Sequence, residues 1–396
     1  MSTTYPITNA HVHVPPNLSA FNDAEDLVAT AVREGALVMG ASNFHDLRVY
    51  RRFADAASAA GIVPLFGLEL ITVIEPLRLA GVRINDPANP GRMYLCGKGV
   101  DPFGEVTPAA ARIDSLAREA NRARAARMTE LLRERFAEAG VPADLDDTSI
   151  AADVAAQARV PADWVVLQER HLAMAFQRVL FAAVAPGERA ERLGRICGAS
   201  PAVPVDDAVA VQGEIRSRLM KVGGRAFVDE VPLTFEDGYR LVLERDGIPC
   251  YPTLADGASP VCQFEDTPDD LARRIGELGI HAAELIPRRN APEVVDAYVK
   301  ALRGVGIVVT AGTEHNTPER IPLQPAALGG APLSETARAA FHEGACVVAG
   351  HQAERRAGRP GFVDAEGRPG SGDRDAWIRR FAAIGAAVIE TTSPVA

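Results

Sequence analysis

The chain is poor in cysteine and shows no pairing pattern for what it has: five residues in 396, at positions 96, 197, 250, 262 and 346, without a CxxC. Such an odd, scattered set excludes a disulfide framework or a zinc ribbon and fits free thiols in a reducing cytoplasm. Positive charge is not in excess either. Lys and Arg number 42 against 52 Asp and Glu, a net charge of −10. That balance argues against long nucleic-acid polymers and anionic membranes as partners and leaves a nucleotide open as a ligand. No run approaches the ~18 consecutive apolar residues of a membrane span. The opening Met1–Pro6 has neither a basic region nor an apolar run, so it does not read as a signal peptide. An internal repeat, a GxGxxG between strand and helix, a P-loop and a GxSxG are all missing. What remains is an ordinary globular composition, 47% hydrophobic and 24% charged. The Ala/Arg/Gly-rich usage is that of a high-GC bacterium.

Length alone suggests two to three domains. Short apolar runs alternate with helical patterns near the start: strands over 7–14, 36–41, 63–72 and 93–97, helices over 24–34 and 47–60. The same rhythm returns after residue 235, with strands over 248–251, 282–286 and 307–311 and helices over 235–245, 268–278 and 292–305. Alternation of this kind indicates a parallel sheet or an α/β barrel. Between them the texture is helical. Ile113, Leu116, Ala120, Ala123, Met128, Leu131 and Phe136 recur at helical spacing, and further helices follow at 151–158, 167–183, 188–197 and 209–219. The arginine row of the first of these helices reads as a solvated face, less readily as a phosphate contact. The domains expected are a discontinuous barrel (1–106 and 224–325), a helical insertion (107–223) and a C-terminal α/β extension (326–396) packed on the barrel. The extension would hold helices over 334–343 and 374–384, each followed by an apolar run, at 345–349 and 386–389. No sequence feature indicates an oligomeric state.

Polar residues capable of chemistry gather where predicted strands end. His11 and His13 alternate at period two, so on a strand both imidazoles project to one side, and Pro15–Pro16 end the strand just beyond. Two same-side histidines are a starting point for a metal site. Glu69 and Glu284 lie inside apolar strand runs, where an acid is costly unless bound or paired. His45, Asp256, Glu314 and His315 follow strands, and such a collection at the C-terminal ends of barrel strands reads as a catalytic face. Each has a plainer alternative: an N-cap for Asp256, a hydrogen-bonded core acid for Glu284, a surface loop for His315.

The ordered series resembles the PHP (polymerase and histidinol phosphatase) family. His-x-His, a Thr/Ser-Asp-His turn and Gly-x-Glu on its first three strands are met here by His11-Val-His13, Ser42-Asn43-Phe44 and Gly67-Leu-Glu69. Glu169-Arg170-His171 resembles an Arg-Pro-His-x-Ala element. Ala283-Glu284 is similar to the family's inward strand glutamate, and Gly312-Thr-Glu314-His315-Asn316 to Gly-Ser-Asp-x-His. The resemblance covers residue 7 to about 325. It departs at Asn9 (usually Asp), at Asn43-Phe44 (usually Asp-His), at Thr253 (usually His), and at Glu314 and His315, where an Asp and a later His are usual.

The resemblance implies a distorted seven-stranded (β/α) TIM-like barrel that hydrolyses phosphoesters with bound Zn, Mn or Fe. Here one or two divalent ions would be held by His11, His13, Glu69, His171, Glu284 and Glu314. Asp256, His315 or Glu314 would move protons, and Arg170, Arg288, Arg289, Asn43 and His45 would meet a small anionic substrate. Hydrolysis of a C–N or ester bond on the same barrel, or a metal-depleted binding protein, are the alternatives, because fold does not fix function.

Overall fold

Local signals place the first elements. Asp23 accepts a hydrogen bond from the Asp26 amide and starts the helix Ala24–Glu34, and Gly35 ends it at φ 74°, a conformation glycine adopts without strain. Leu27, Val28 and Ala31 form its buried face. The structure, a computed structural model, describes residues 5–392; Met1–Thr4, part of the opening stretch read above, lie outside them. Two compact units divide the chain. The first comprises Met1–Val14, Ser19–Asp114 and Pro232–Ala396, the second Pro15–Leu18 and Ser115–Val231.

The first unit is built on a mixed α/β sheet. Its strands are β1 (Ile7–Val12), β2 (Ala36–Phe44), β3 (Val63–Val73), β4 (Arg92–Lys98), β5 (Leu233–Thr234), β6 (Ile248–Thr253), β7 (Ala282–Leu285) and β8 (Val308–Ala311). Seven follow the path β1-β2-β3-β4-β6-β7-β8, and β5 pairs with β3. The path nearly closes into a barrel. Val12 bridges Glu314, the His13 amide donates to Glu314 O at 2.8 Å, and the Glu314 amide donates to His11 O at 2.9 Å. One strand breaks the expected parallel order: β4 runs antiparallel to both β3 and β6. The link from β3 to β4, residues 74–91, contains only the five-residue helix Glu75–Leu79 and returns the chain antiparallel beside β3.

The C-terminal extension corrects the expectation in a second way. Among the described residues it is helical rather than α/β: Glu335–Arg356 and Arg374–Thr392 are continuous helices that absorb both apolar runs. Residues 344–350 are buried almost all round because the first of these helices lies across the N-terminal mouth of the barrel. Ala345, Val348 and Ala349 cluster with Ala10, Val38, Val63 and Leu65, and Val347 with Cys96, Ile248, Cys250, Ala282 and Val308. Gly344 lies so close to the Val309 carbonyl that an added Cβ would sit 2.1 Å from its oxygen. Gln352 accepts from the Phe66 amide at 2.8 Å and donates to Pro64 O at 3.1 Å. A buried apolar run reads as a strand by pattern and is a helix here because it is enclosed on all sides.

The second unit is helical, with a core that includes Met128, Leu132, Phe136, Phe176, Leu180, Leu193 and Ile215. Its arginines are largely occupied: Arg124 pairs with Glu169, Arg127 with Glu130, and Arg135 with Glu138. Among the described residues no helix is long and apolar enough to cross a membrane.

Candidate metal centre

At the C-terminal ends of the strands, β1, β3, β7 and the turn after β8 bring their polar side chains together. His11 Nε2 and His13 Nε2 lie 3.3 Å apart, and Glu69 Oε2 lies 3.4 Å from His13 Nε2. Both imidazoles are 1% exposed. His11, His13 and Glu69 can each offer one donor atom within a 4.8 Å sphere, and so can His11, Cys96 and Glu284.

Glu284 organises the layer beneath. Its Oε1 accepts from His11 Nδ1 at 2.7 Å, and its Oε2 pairs with the Lys98 ammonium, which also donates to Ala10 O at 3.1 Å. Because Nδ1 carries the proton given to Glu284, a neutral His11 presents a bare lone pair at Nε2. Burial alone would raise the Glu284 pKa, but Lys98 and His11 outweigh it and hold the carboxyl at about 2. The Lys98 ammonium is likewise held above its ordinary range despite burial, by Glu284. The cost argument that marks the strand acids applies equally to Lys98, a cation at the end of the apolar run of β4 and absent from the residues singled out above. Cys96, which also faces this layer, carries no such signal in the sequence.

Glu69 is the frustrated member. Burial, with the carboxylates of Glu314 and Glu284 nearby, pushes its pKa up to about 7 against the pull of His11 and Arg289. Glu314 pairs with Arg289 and accepts from Asn316 Nδ2 at 2.6 Å. Burial would raise its carboxyl, but the guanidinium holds it below the usual range. The backbone here is strained: His45, Ala255, Glu314 and His315, each just beyond a strand, have φ of 52, 47, 60 and 50°. Such left-handed non-glycine residues cost on the order of 1–3 kcal/mol each and collect where geometry is imposed.

Other residues marked in the sequence are placed as follows. Asn43 is clasped to the segment just after β1, accepting from the Val14 amide at 2.8 Å and donating to Val14 O at 2.9 Å. The His45 amide donates to Glu69 O at 3.1 Å, and its ring stands edge-on to Phe44 at 4.3 Å. Asp256 accepts from Asn290 Nδ2 at 2.7 Å and from the Ala291 amide at 3.1 Å, tying two loops. His315 has both ring nitrogens engaged, with Thr313 Oγ1 at 2.7 Å and Ile321 O at 2.9 Å. Arg288 is exposed beside Arg289. Thr253 is buried and its hydroxyl has no hydrogen-bond partner among the described residues. Arg170 and His171 lie on the helix Glu169–Ala183 of the second unit. There the His171 Nδ1 accepts from the Gln168 amide at 3.0 Å, and burial lowers its pKa to about 4.

The fold is thus a nearly closed, seven-stranded α/β barrel with histidines and acids converging at one end. Comparison with solved structures agrees with the fold. The chain is similar to a protein from Bifidobacterium adolescentis described as a candidate metal-dependent phosphoesterase. The TM-score is 0.58 at 14% identity, covering 85% of this chain and 96% of that one. It is also similar to an amidohydrolase from Chromobacterium violaceum, solved with sulfate and no metal. That TM-score is 0.51 at 14% identity, covering 80% of this chain and 92% of the other. No family model matches the sequence, and no curated protein matches it.

Proposed function

We propose that this chain is a metal-dependent hydrolase related to the PHP phosphoesterases and that it cleaves a phosphoester of a small anionic metabolite. The observation that carries the reading is the convergence of His11 Nε2, His13 Nε2 and Glu69 Oε2, with His11 Nδ1 anchored on Glu284. Two imidazoles and a carboxylate suit Zn, Mn or Fe and leave positions open for water and substrate. The charges fit too. Glu69, Glu284 and Glu314 face only Lys98 and Arg289, and a divalent cation would favour the ionised form of Glu69 that crowding by the other carboxylates opposes. Both structural neighbours, one described as a phosphoesterase and one as an amidohydrolase, are compatible with a hydrolase.

A bound ion of this kind lowers the pKa of its water toward ~7 and polarises the oxygen under attack. The protein's part is positional. Glu284 fixes the tautomer and ring angle of His11, and Lys98 holds Glu284 in turn. Arg289, steadied by Glu314, and the exposed Arg288 offer guanidinium forks to a phosphate. Glu314 stays ionised at neutral pH, and its Oε1 accepts no hydrogen bond among the described residues. It is therefore better placed to take a proton than Asp256 or His315, whose polar atoms are committed to loop hydrogen bonds.

Reconstituting the protein with Zn, Mn or Fe and screening phosphomonoesters, phosphodiesters, amides and esters tests this. Turnover of a phosphoester that is lost in Glu314→Gln is expected. Failure on every phosphoester with turnover of an amide or ester would move the reading to C–N or ester hydrolysis on the same barrel.

A further inference from the structure

The other end of the barrel holds a cavity that the hydrolase reading does not use. About 430 Å³ in volume, it lies among the helix Tyr50–Ala59, the start of β3, Phe103 and the two C-terminal helices. Its floor is apolar, formed by Ile62, Val63, Ala349 and Val388. Two arginines line it. The Arg51 guanidinium carbon sits 3.9 Å from the Phe103 ring centre and that of Arg356 5.3 Å from the Phe66 ring centre. The two rings pack edge to face at 5.2 Å. One aromatic pair therefore carries both cations by their faces, which leaves guanidinium edges for other partners.

Neither guanidinium has a hydrogen-bond acceptor or an ion-pair partner among the described residues. Burial lowers the pKa of Arg356, Asp101 opposes it, and Arg51 adds a smaller push in the same direction as burial. Two guanidiniums thus line one partly apolar cavity. The one acid lining the cavity, Asp55, lies a helical turn beyond Arg51 and makes no ion pair with it among the described residues.

We propose that this cavity binds a small organic oxyanion, a phosphate or carboxylate on an apolar body, gripped by Arg51 and Arg356. An oxyanion shared by two guanidinium edges makes charge-assisted hydrogen bonds with both. The apolar body covers the floor, and the volume is that of ordinary small-molecule sites. The site is separate from the metal centre: Val63 and Glu69 are six residues apart on β3, about 20 Å at strand spacing. It stands whether or not the hydrolase reading does.

Calorimetric titration of the full chain with phenyl phosphate, benzoate and inorganic phosphate tests it. An organic probe should saturate wild type and His13→Ala alike and bind at least about tenfold more weakly to Arg51→Lys/Arg356→Lys, because lysine cannot offer the planar fork. That variant should melt where wild type does, and the single lysine variants should fall between. The tighter of the two organic probes identifies the headgroup, and inorganic phosphate should bind at least about tenfold more weakly for want of the apolar body. The proposal is overturned by failure of both organic probes to saturate at about 10 mM, by unchanged affinity in the lysine variant, or by binding that vanishes in His13→Ala.

Discussion

Replacing Lys98 with methionine removes one charge from a site where it cannot be replaced by water. Lys98 is 2% exposed and Glu284 1%, so the variant leaves a buried carboxylate supported only by His11. Removing one partner of a buried pair costs about 3–5 kcal/mol. The held carboxyl gives a consistent figure: a fall from 4.5 to about 2 corresponds to about 3 kcal/mol shared between Lys98 and His11. For the barrel this lowers the melting temperature by roughly 6–15 °C. The pH dependence has a definite sign. A carboxyl with a depressed pKa stabilises the fold above its unfolded value and loses that stabilisation as pH falls, here from about 4.5 to about 2. Wild type should lose stability across that window, and Lys98→Met much less. Lys98→Met/Glu284→Gln, which removes both charges, should recover most of the loss. Chemical denaturation at pH 7 and pH 3 measures these three proteins and the single variant Glu284→Gln. A Lys98→Met variant within about 0.5 kcal/mol of wild type, or a double variant whose loss is the sum of the singles, would refute the reasoning.

Two further outcomes follow from the same geometry. Glu69 is raised to about 7, so protons compete with metal, and apparent affinity should begin to fall near pH 7 and steepen toward about tenfold per pH unit by about pH 6 in competition titrations. In the metal-free protein the raised carboxyl has the opposite sign to Glu284: stability should increase by about 3 kcal/mol as pH falls from about 7 to 4.5, visible in urea melts. Gly312→Ala would set a Cβ 2.3 Å from that of His11. It should cost about 1–3 kcal/mol and reduce metal binding more than the distant Gly81→Ala, compared by thermal melts and bound-metal analysis.

Much of the barrel was legible because strand and helix periods differ, and the helix Ala24–Glu34 was bounded by its own caps. The buried acids were legible too, since Glu69 and Glu284 interrupt apolar strands. What could not be read was tertiary. The reversed direction of β4 depends on a connection whose path no local signal gives. Residues 345–349 are apolar on every side because a helix fills the barrel mouth, which periodicity cannot distinguish from a buried strand. Asp256 and His315 sit beyond strands as site residues do, but their hydrogen bonds go to Asn290, Ala291, Thr313 and Ile321. Only the closed fold decides between a ligand and a loop tie. Lys98 carries the same signal as the acids, a charge in an apolar strand run, and is as legible as they are.

His11, His13 and Glu69 are proposed to hold a metal ion. Elemental analysis of the purified protein, before and after reconstitution with Zn, Mn or Fe, tests it most directly. Close to one divalent ion per chain is expected in wild type, with loss of that ion in His13→Ala and the fold intact. Less than about 0.5 ion per chain in reconstituted wild type, or full retention in His13→Ala, would contradict it.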